Sequence, residues 1–312
     1  MTRILFYLED YSHDIWREAL LKIDPTVEFR SYPDWGSPDD GPAYAFVWEP
    51  KPRLLAQYHN IKAIFSLGAG VDHLTRDPAL PKDVPIIRMG DDGLKEGMAE
   101  FVTMSVLMHH RGMPALLAKQ RQKDWGRFFA RAARDVRVGI LGFGALGQVS
   151  AATLLPFGYD VAAWSRTEKL PRNGISLYHG TGSLDAFLAR TDILVGLLPS
   201  TSETSGLMNS DRLARLPRGA SIINAGRGSL VVLDDLVELL HSGHLGAASL
   251  DVFPEEPLPM DHALWGLDNV IITPHIAAIT RPDTAAEYVL RNIKKLERGE
   301  TAENQLDMKR GY

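Results

Sequence analysis

Val138-Gly139-Ile140-Leu141-Gly142-Phe143-Gly144-Ala145-Leu146-Gly147 decides how this chain is read. Val138 to Leu141 has the apolar character of a buried strand, and Gly142-x-Gly144-x-x-Gly147 then turns it into a helix. Each glycine answers a separate physical need. Gly142 permits the tight turn, Gly144 lets backbone approach a pyrophosphate, and Gly147 lets the helix pack closely on the strand. The helix N-terminus, entered at Ala145 and Leu146, adds N–H groups without intrahelical acceptors and a positive dipole end. This is the pattern of a dinucleotide-binding turn. The turn's position carries as much information. It begins only after residue 135, so a different domain precedes it.

At 312 residues the chain has room for two domains, and 45% hydrophobic content is enough for ordinary soluble cores. The net charge is −5, with no basic block. The strongest local cluster, residues 121–137, interleaves arginines with aromatics and acids, which argues against nucleic acid as a partner. The apolar start at residues 4–8 runs at once into Glu9 and Asp10, too short for a signal peptide. No stretch is long enough to span a membrane, so no membrane partner is expected. With no cysteine, disulfides, thiolate catalysis and cysteine metal sites are excluded. A cytoplasmic location is expected.

Short apolar runs alternate with amphipathic segments over the first hundred residues. The pattern predicts strands at 3–8, 27–31, 43–47, 63–67 and 85–88, with helices at 14–22 and 52–58. A long helix at 97–121, with Met98, Phe101, Val102, Ser105 and Met108 at helical spacing, leads onward. A second series predicts strands at 136–141, 160–164, 193–198, 220–224, 247–251 and 270–273, then a final helix at 287–296. That helix and the tail at 302–312 are expected to fold back onto the first domain. The resulting fold class is α/β with two parallel sheets, residues 1–100 with 282–312 forming one domain and 101–281 the other. The carboxyl ends of the strands, in the cleft such domains make, are the expected ligand site.

The dinucleotide is read at the end of the second strand after the turn, about 20 residues on. An acid there would take the ribose hydroxyls of NAD. The chain has Trp164-Ser165-Arg166-Thr167 instead. The Arg166 guanidinium suits a 2′-phosphate and adenine stacking, and the Ser165 and Thr167 hydroxyls are expected to donate to the same phosphate. NADP(H) is therefore expected over NAD(H).

Three later strands end in reactive side chains: Asn224-Ala225-Gly226-Arg227-Gly228, then Asp251-Val252-Phe253-Pro254-Glu255-Glu256-Pro257-Leu258-Pro259, then Thr273-Pro274-His275. Reducing a 2-oxo acid needs a cation for the carboxylate and carbonyl, and a proton donor for the developing alkoxide. A carboxylate must also keep the donor imidazole oriented and charged. The three segments supply one of each.

The ordered set G-x-G-x-x-G, N-A-G-R-G, D-V-F-x-x-E-P-L-P and T-P-H-I resembles the D-isomer-specific 2-hydroxyacid dehydrogenase family over essentially the whole chain. Leu67-Gly68-Ala69-Gly70-Val71-Asp72, Trp164-Ser165-Arg166-Thr167, Ala277-Ala278-Ile279-Thr280-Arg281-Pro282 and Arg310-Gly311-Tyr312 resemble its glyoxylate/hydroxypyruvate reductase A branch. The resemblance implies a Rossmann-type domain inserted in a flavodoxin-like substrate domain, and a homodimer. It makes Arg227 the carbonyl-polarising residue, His275 the acid/base and Glu256 its orienting partner, whereas Glu255 matches no required position. Gly68, Ala69 and Gly70 would hold the substrate carboxylate through backbone N–H groups, and Trp48 would cap a small pocket. Leu198, Pro199, Ala225, Gly226 and Ala277 would line the cofactor groove, with Asp251 facing the carboxamide. The chain departs from the wider family by lacking the acid after the second strand, in agreement with NADPH. The segment Gly97-Met98-Ala99-Glu100 keeps only the Ala-Glu of the commoner pattern.

Taken singly, these residues are ordinary: a structural histidine, a loop arginine, a surface acid beside proline. Their order after a nucleotide turn is what makes them catalytic candidates. His241-x-x-His244 beside Glu238 mimics metal-ligand spacing, but Ser242-Gly243 breaks the helix there, and no metal is expected. His109-His110 reads as surface or subunit interface, and Trp125, Phe128 and Phe129 as a site entrance or dimer seam. The expected activity is NADPH-dependent reduction of glyoxylate and hydroxypyruvate. Its rivals are another 2-hydroxyacid dehydrogenase, of phosphoglycerate or lactate type, and a dinucleotide-sensing protein of the corepressor kind. No appended regulatory domain speaks for the phosphoglycerate type.

Overall fold

Runs of β-branched and aromatic residues in the first hundred positions form five strands: β1 (Arg3–Tyr7), β2 (Glu28–Ser31), β3 (Ala43–Val47), β4 (Ile61–Ser66) and β5 (Ile86–Ile87). The computed structural model describes residues 1–9 and 12–307, and the motif Arg310-Gly311-Tyr312 lies outside the described residues. The chain separates into two units, Met1–Leu94 with Ile279–Tyr312, and Lys95–Ala278. In the first unit the strands are parallel in the order β2-β1-β3-β4-β5, the flavodoxin-like arrangement. Central β3 is buried along its whole length, as a strand covered on both faces must be. Trp35, fully buried, satisfies its one polar atom by donating Nε1–H to the Phe6 carbonyl at 2.9 Å.

The helix Pro282–Glu297 packs on the helix Asp14–Ile23. Pro282 starts it, Asp283 lies in its first turn, and Lys294 and Lys295 lie in its last, each complementing the helix dipole. The helix expected at 52–58 shrinks to one turn, Leu55–Gln57, because Arg53 adopts φ 66°, which no α-helix accepts.

Seven strands build the second unit: β6 (Arg137–Leu141), β7 (Asp160–Ser165), β8 (Ile175–His179), β9 (Ile193–Gly196), β10 (Ala220–Asn224), β11 (Leu245–Leu250) and β12 (Val270–Ile272). All pairings are parallel, in the order β12-β11-β10-β9-β6-β7-β8. This is the doubly wound order with one more edge strand, and its switch point lies between β6 and β9. Period-two alternation splits the apolar residues between two cores. Val138, Ile140, Val161, Ala163 and Val195 fill one face, and Leu141, Ala162, Trp164, Leu194 and Ile222 the other. Burial of each larger aliphatic contributes on the order of 1.5–3 kcal/mol.

The single helix expected at 97–121 is two, Asp92–His110 and Met113–Arg121. Gly112 breaks it at φ 64°, and Pro114 restarts it. No helix among the described residues is long and apolar enough to cross a membrane.

The second and third glycines of the turn predict different outcomes. A Cβ on Gly147 would lie 1.9 Å from the Gly142 carbonyl oxygen, whereas one on Gly144 meets nothing within 4 Å. Gly147→Ala is expected to cost about 1–3 kcal/mol and lower the thermal midpoint by several degrees, followed by circular dichroism. Gly144→Ala is expected to melt like the parent. Equal midpoints for all three would refute the close packing.

Candidate active site

The turn after β6 has two glycines pressed by protein and one facing open space. Gly142 sits at φ 118°, with the Leu197 carbonyl oxygen 2.7 Å from where its Cβ would be. Gly147 is pressed against Gly142 itself, and Gly144 opens outward as the cap of the helix Ala145–Leu154. Ala145 and Leu146 occupy its first turn, where N–H groups have no intrahelical acceptor. A bare backbone with outward donors fits a pyrophosphate.

β7 ends in the loop expected to read the ribose. Trp164 is almost wholly buried, and its Nε1–H donates to the Gly180 carbonyl at 3.0 Å, so its ring belongs to the core. The Ser165 hydroxyl donates to the Thr167 carbonyl at 2.8 Å, so it closes the loop itself. Arg166 extends from that loop, and its Nη1 lies 2.5 Å from Glu203 Oε2. Glu203 is absent from any motif reading, because its partner is 37 positions away. Leu198 is buried at the end of β9, and the Pro199 carbonyl accepts the Thr204 hydroxyl at 2.6 Å.

β10 ends in Asn224-Ala225-Gly226-Arg227-Gly228. Buried Asn224 clamps this turn: its Oδ1 accepts the Gly226 N–H at 3.3 Å, and its Nδ2 donates to the Arg227 carbonyl at 3.0 Å. The flanking glycines are steric necessities. A Cβ on Gly226 would lie 3.0 Å from the Leu198 carbonyl oxygen, and one on Gly228 would lie 1.9 Å from the Phe253 carbonyl carbon. Arg227 is thereby held with Nη1 donating to the Gly226 carbonyl at 2.8 Å. Ala225 is buried beside it.

Asp251, one residue past β11, is 1% exposed and serves as an anchor. Its Oδ1 accepts the Thr273 hydroxyl at 2.6 Å and the Ile276 N–H at 2.9 Å, and its Oδ2 accepts the Ala277 N–H at 2.9 Å. Its carbonyl takes the His275 N–H at 2.8 Å. His275 follows the resulting path at φ 54° and brings Nδ1 to 2.8 Å from Glu256 Oε2. The other oxygen of Glu256 accepts the Phe253 N–H at 2.8 Å, which fixes the carboxylate plane.

This geometry sets the charges. The hydrogen bond to Glu256 raises the His275 pKa above the ordinary imidazole value, against burial and the positive charge of Arg227. Burial pushes Glu256 upward, but the His275 hydrogen bond and the Phe253 N–H outweigh it, and its pKa falls below the usual carboxylate value. The pair therefore favours imidazolium beside carboxylate. An imidazolium and a guanidinium together can supply a proton and polarise a carbonyl.

The first unit presents the loop Gly68-Ala69-Gly70. Gly68 N–H donates to Ser66 Oγ at 3.2 Å, and Ser66 Oγ–H donates to the Gly70 carbonyl at 2.9 Å. The N–H groups of Ala69 and Gly70 have no protein acceptor among the described residues. A Cβ on Gly68 would lie 2.5 Å from Trp48 Cζ3, so the indole rests directly on this glycine. Trp48 also packs against His73, ring centroids 4.4 Å apart.

Two readings of other residues change. His109 is buried, bonded to Ser249 Oγ at 2.8 Å, with its pKa pushed down to about 4 by burial, so it is a core histidine. His110 is half-buried, with Nδ1 2.8 Å from the Tyr159 hydroxyl. His244 bonds the Leu216 carbonyl at 3.1 Å, and no metal-binding group occurs among the described residues. Trp125 and Phe129 stand out at 94% and 84% exposed.

Residues 103–277 match the family model for the NAD-binding domain of D-isomer specific 2-hydroxyacid dehydrogenases. Glyoxylate/hydroxypyruvate reductase A of Serratia proteamaculans is 38% identical, covering 99% of each chain. A D-isomer specific 2-hydroxyacid dehydrogenase of Xanthobacter autotrophicus, solved with NADPH and MES, superimposes at TM-score 0.95, with 43% identity over 100% of this chain and 99% of that one. The NADPH-dependent glyoxylate/hydroxypyruvate reductase of Sinorhizobium meliloti, solved with NADP and sulfate, superimposes at TM-score 0.92, with 38% identity over 100% of both chains.

If Glu256 holds the proton on His275, removing its charge must release it. In Glu256→Gln the His275 ring is expected to titrate at lower pH than in the parent, read from its imidazole NMR signals. An unchanged titration would show that the pair is not electrostatically coupled.

Proposed function

The chain belongs to the D-isomer-specific 2-hydroxyacid dehydrogenase family, and we propose that it reduces glyoxylate to glycolate and hydroxypyruvate to D-glycerate with NADPH. The observation that carries this reading is the 2.8 Å contact between His275 Nδ1 and Glu256 Oε2, in a unit that also presents Arg227 at a strand end. A nicotinamide dinucleotide held at the Gly142–Gly147 turn supplies the hydride for the carbonyl carbon. The chain's own residues do the rest. Arg227 polarises the carbonyl and stabilises the negative charge that develops on its oxygen. With Nδ1 committed to Glu256, Nε2 of His275 is the proton-transferring atom, and it protonates that oxygen. Glu256 keeps the imidazolium formed beforehand and prevents the ring from turning.

Leu198, Pro199, Ala225, Gly226 and Ala277 are the proposed walls of the cofactor groove. Asp251 keeps Ala277 in register with His275 through the Ala277 and Ile276 N–H groups. The N–H groups of Ala69 and Gly70 are the proposed carboxylate donors, and Trp48, seated on Gly68, favours short substrates. The NADPH preference is supported by Arg166, by the lack of an acid at the end of β7, and by the cofactors of the solved relatives. Exposed Trp125 and Phe129 support a homodimer.

The deciding assay follows oxidation of NADPH and of NADH with glyoxylate, hydroxypyruvate, pyruvate and phosphohydroxypyruvate. NADPH oxidation with the first two is expected to be fastest, and no oxidation under any combination would sink the reading. His275→Gln is expected to lower turnover by about 100-fold or more while leaving NADPH affinity unchanged. Because reduction needs protonated His275, its rate should fall as pH rises through the raised pKa. Arg166→Ala is expected to weaken NADPH binding more than NADH binding, and an equal loss would remove it as the reader of the 2′-phosphate.

A further inference from the structure

Arg166 has a second claimant on its guanidinium. Glu203 Oε2 lies 2.5 Å from its Nη1, and Glu203 sits on a loop that is itself well braced. The Thr204 hydroxyl donates to the Pro199 carbonyl at 2.6 Å, the Thr201 N–H donates to Thr204 Oγ1 at 2.9 Å, and the Ser205 N–H donates to the Thr201 carbonyl at 2.9 Å. These bonds fix the backbone on both sides of Glu203, from which its side chain reaches Arg166.

A ribose 2′-phosphate carries a charge of about −1.5 to −2 and seeks the same N–H donors. To engage Arg166 it must displace the carboxylate or tolerate a like charge beside it. The Arg166 and Glu203 side chains are 43% and 62% exposed, so their pairing is weak and screened, and a phosphate is able to displace it at a finite cost. A dinucleotide without the 2′-phosphate leaves the pair intact and bears no such cost. We propose that Glu203 is a specificity-determining residue, one that competes with the 2′-phosphate for Arg166 and so moderates the preference for NADPH over NADH. This rests on the reading that Arg166 binds the 2′-phosphate.

The test is binding, not turnover. Fluorescence titrations with NADPH and with NADH compare the parent, Glu203→Gln, Arg166→Ala and the double variant. Glu203→Gln is expected to tighten NADPH by about fivefold, the upper end for an exposed pair, and to leave NADH within about twofold. In the Arg166→Ala background the same substitution should lose most of that gain. No tightening of NADPH, equal tightening of both dinucleotides, or a full gain without Arg166 would each overturn the assignment. Failure of the underlying reading appears separately, as an equal loss of both dinucleotides in Arg166→Ala alone.

Discussion

The ends of β11 and β12, which carry the His275–Glu256 pair, depend on one buried carboxylate. Burying Asp251 would cost several kcal/mol if its oxygens lacked donors. The Thr273 hydroxyl and the Ile276 and Ala277 N–H groups supply them, all from the segment after β12. The same bonds draw that segment across the end of β11 so tightly that His275 adopts φ 54°. A non-glycine residue there is strained by on the order of 1 kcal/mol, and the surrounding bonds over-determine it. The His275–Glu256 contact is the result of that constraint.

Two carboxylates a few residues apart thus have different work. Asp251 is turned inward and taken up by the Thr273 hydroxyl and two backbone N–H groups, which makes it an anchor. Glu256 spends one oxygen on the Phe253 N–H and offers the other to His275. Arg227, held by buried Asn224, adds a positive charge that presses the imidazole toward neutrality, and Glu256 prevails. The balance raises the ring's affinity for its proton despite the cation that opposes it.

Much of this was legible in the chain. The glycines at 142, 144 and 147, the apolar runs of the parallel sheets, and the order of Arg227, Glu256 and His275 are local patterns, and local patterns survive in sequence. What stayed hidden was non-local or irregular. β8 pairs at a sheet edge and is only partly buried, so Ile175–His179 carries little apolar signal. The break at Gly112 depends on a left-handed residue inside an otherwise helical run. Trp164 belongs to the motif that ends β7, yet its ring fills the core, which the motif alone does not announce. The pairing of Arg166 with Glu203 and the bracing of Thr273 by Asp251 join residues far apart in sequence, and no spacing rule announces such contacts.

The way the chain is threaded has a consequence for its synthesis. The second unit is one uninterrupted stretch, Lys95–Ala278, but the first needs residues from both sides of it. The helix Pro282–Glu297, which covers the helix Asp14–Ile23, emerges from the ribosome only after every strand of both sheets. The helix Asp14–Ile23 must therefore wait for its partner, with apolar surface uncovered, while the second unit is already complete in sequence. Vectorial folding here runs against sequence order: the part made first is finished last, only after the final strand of the second unit has been made.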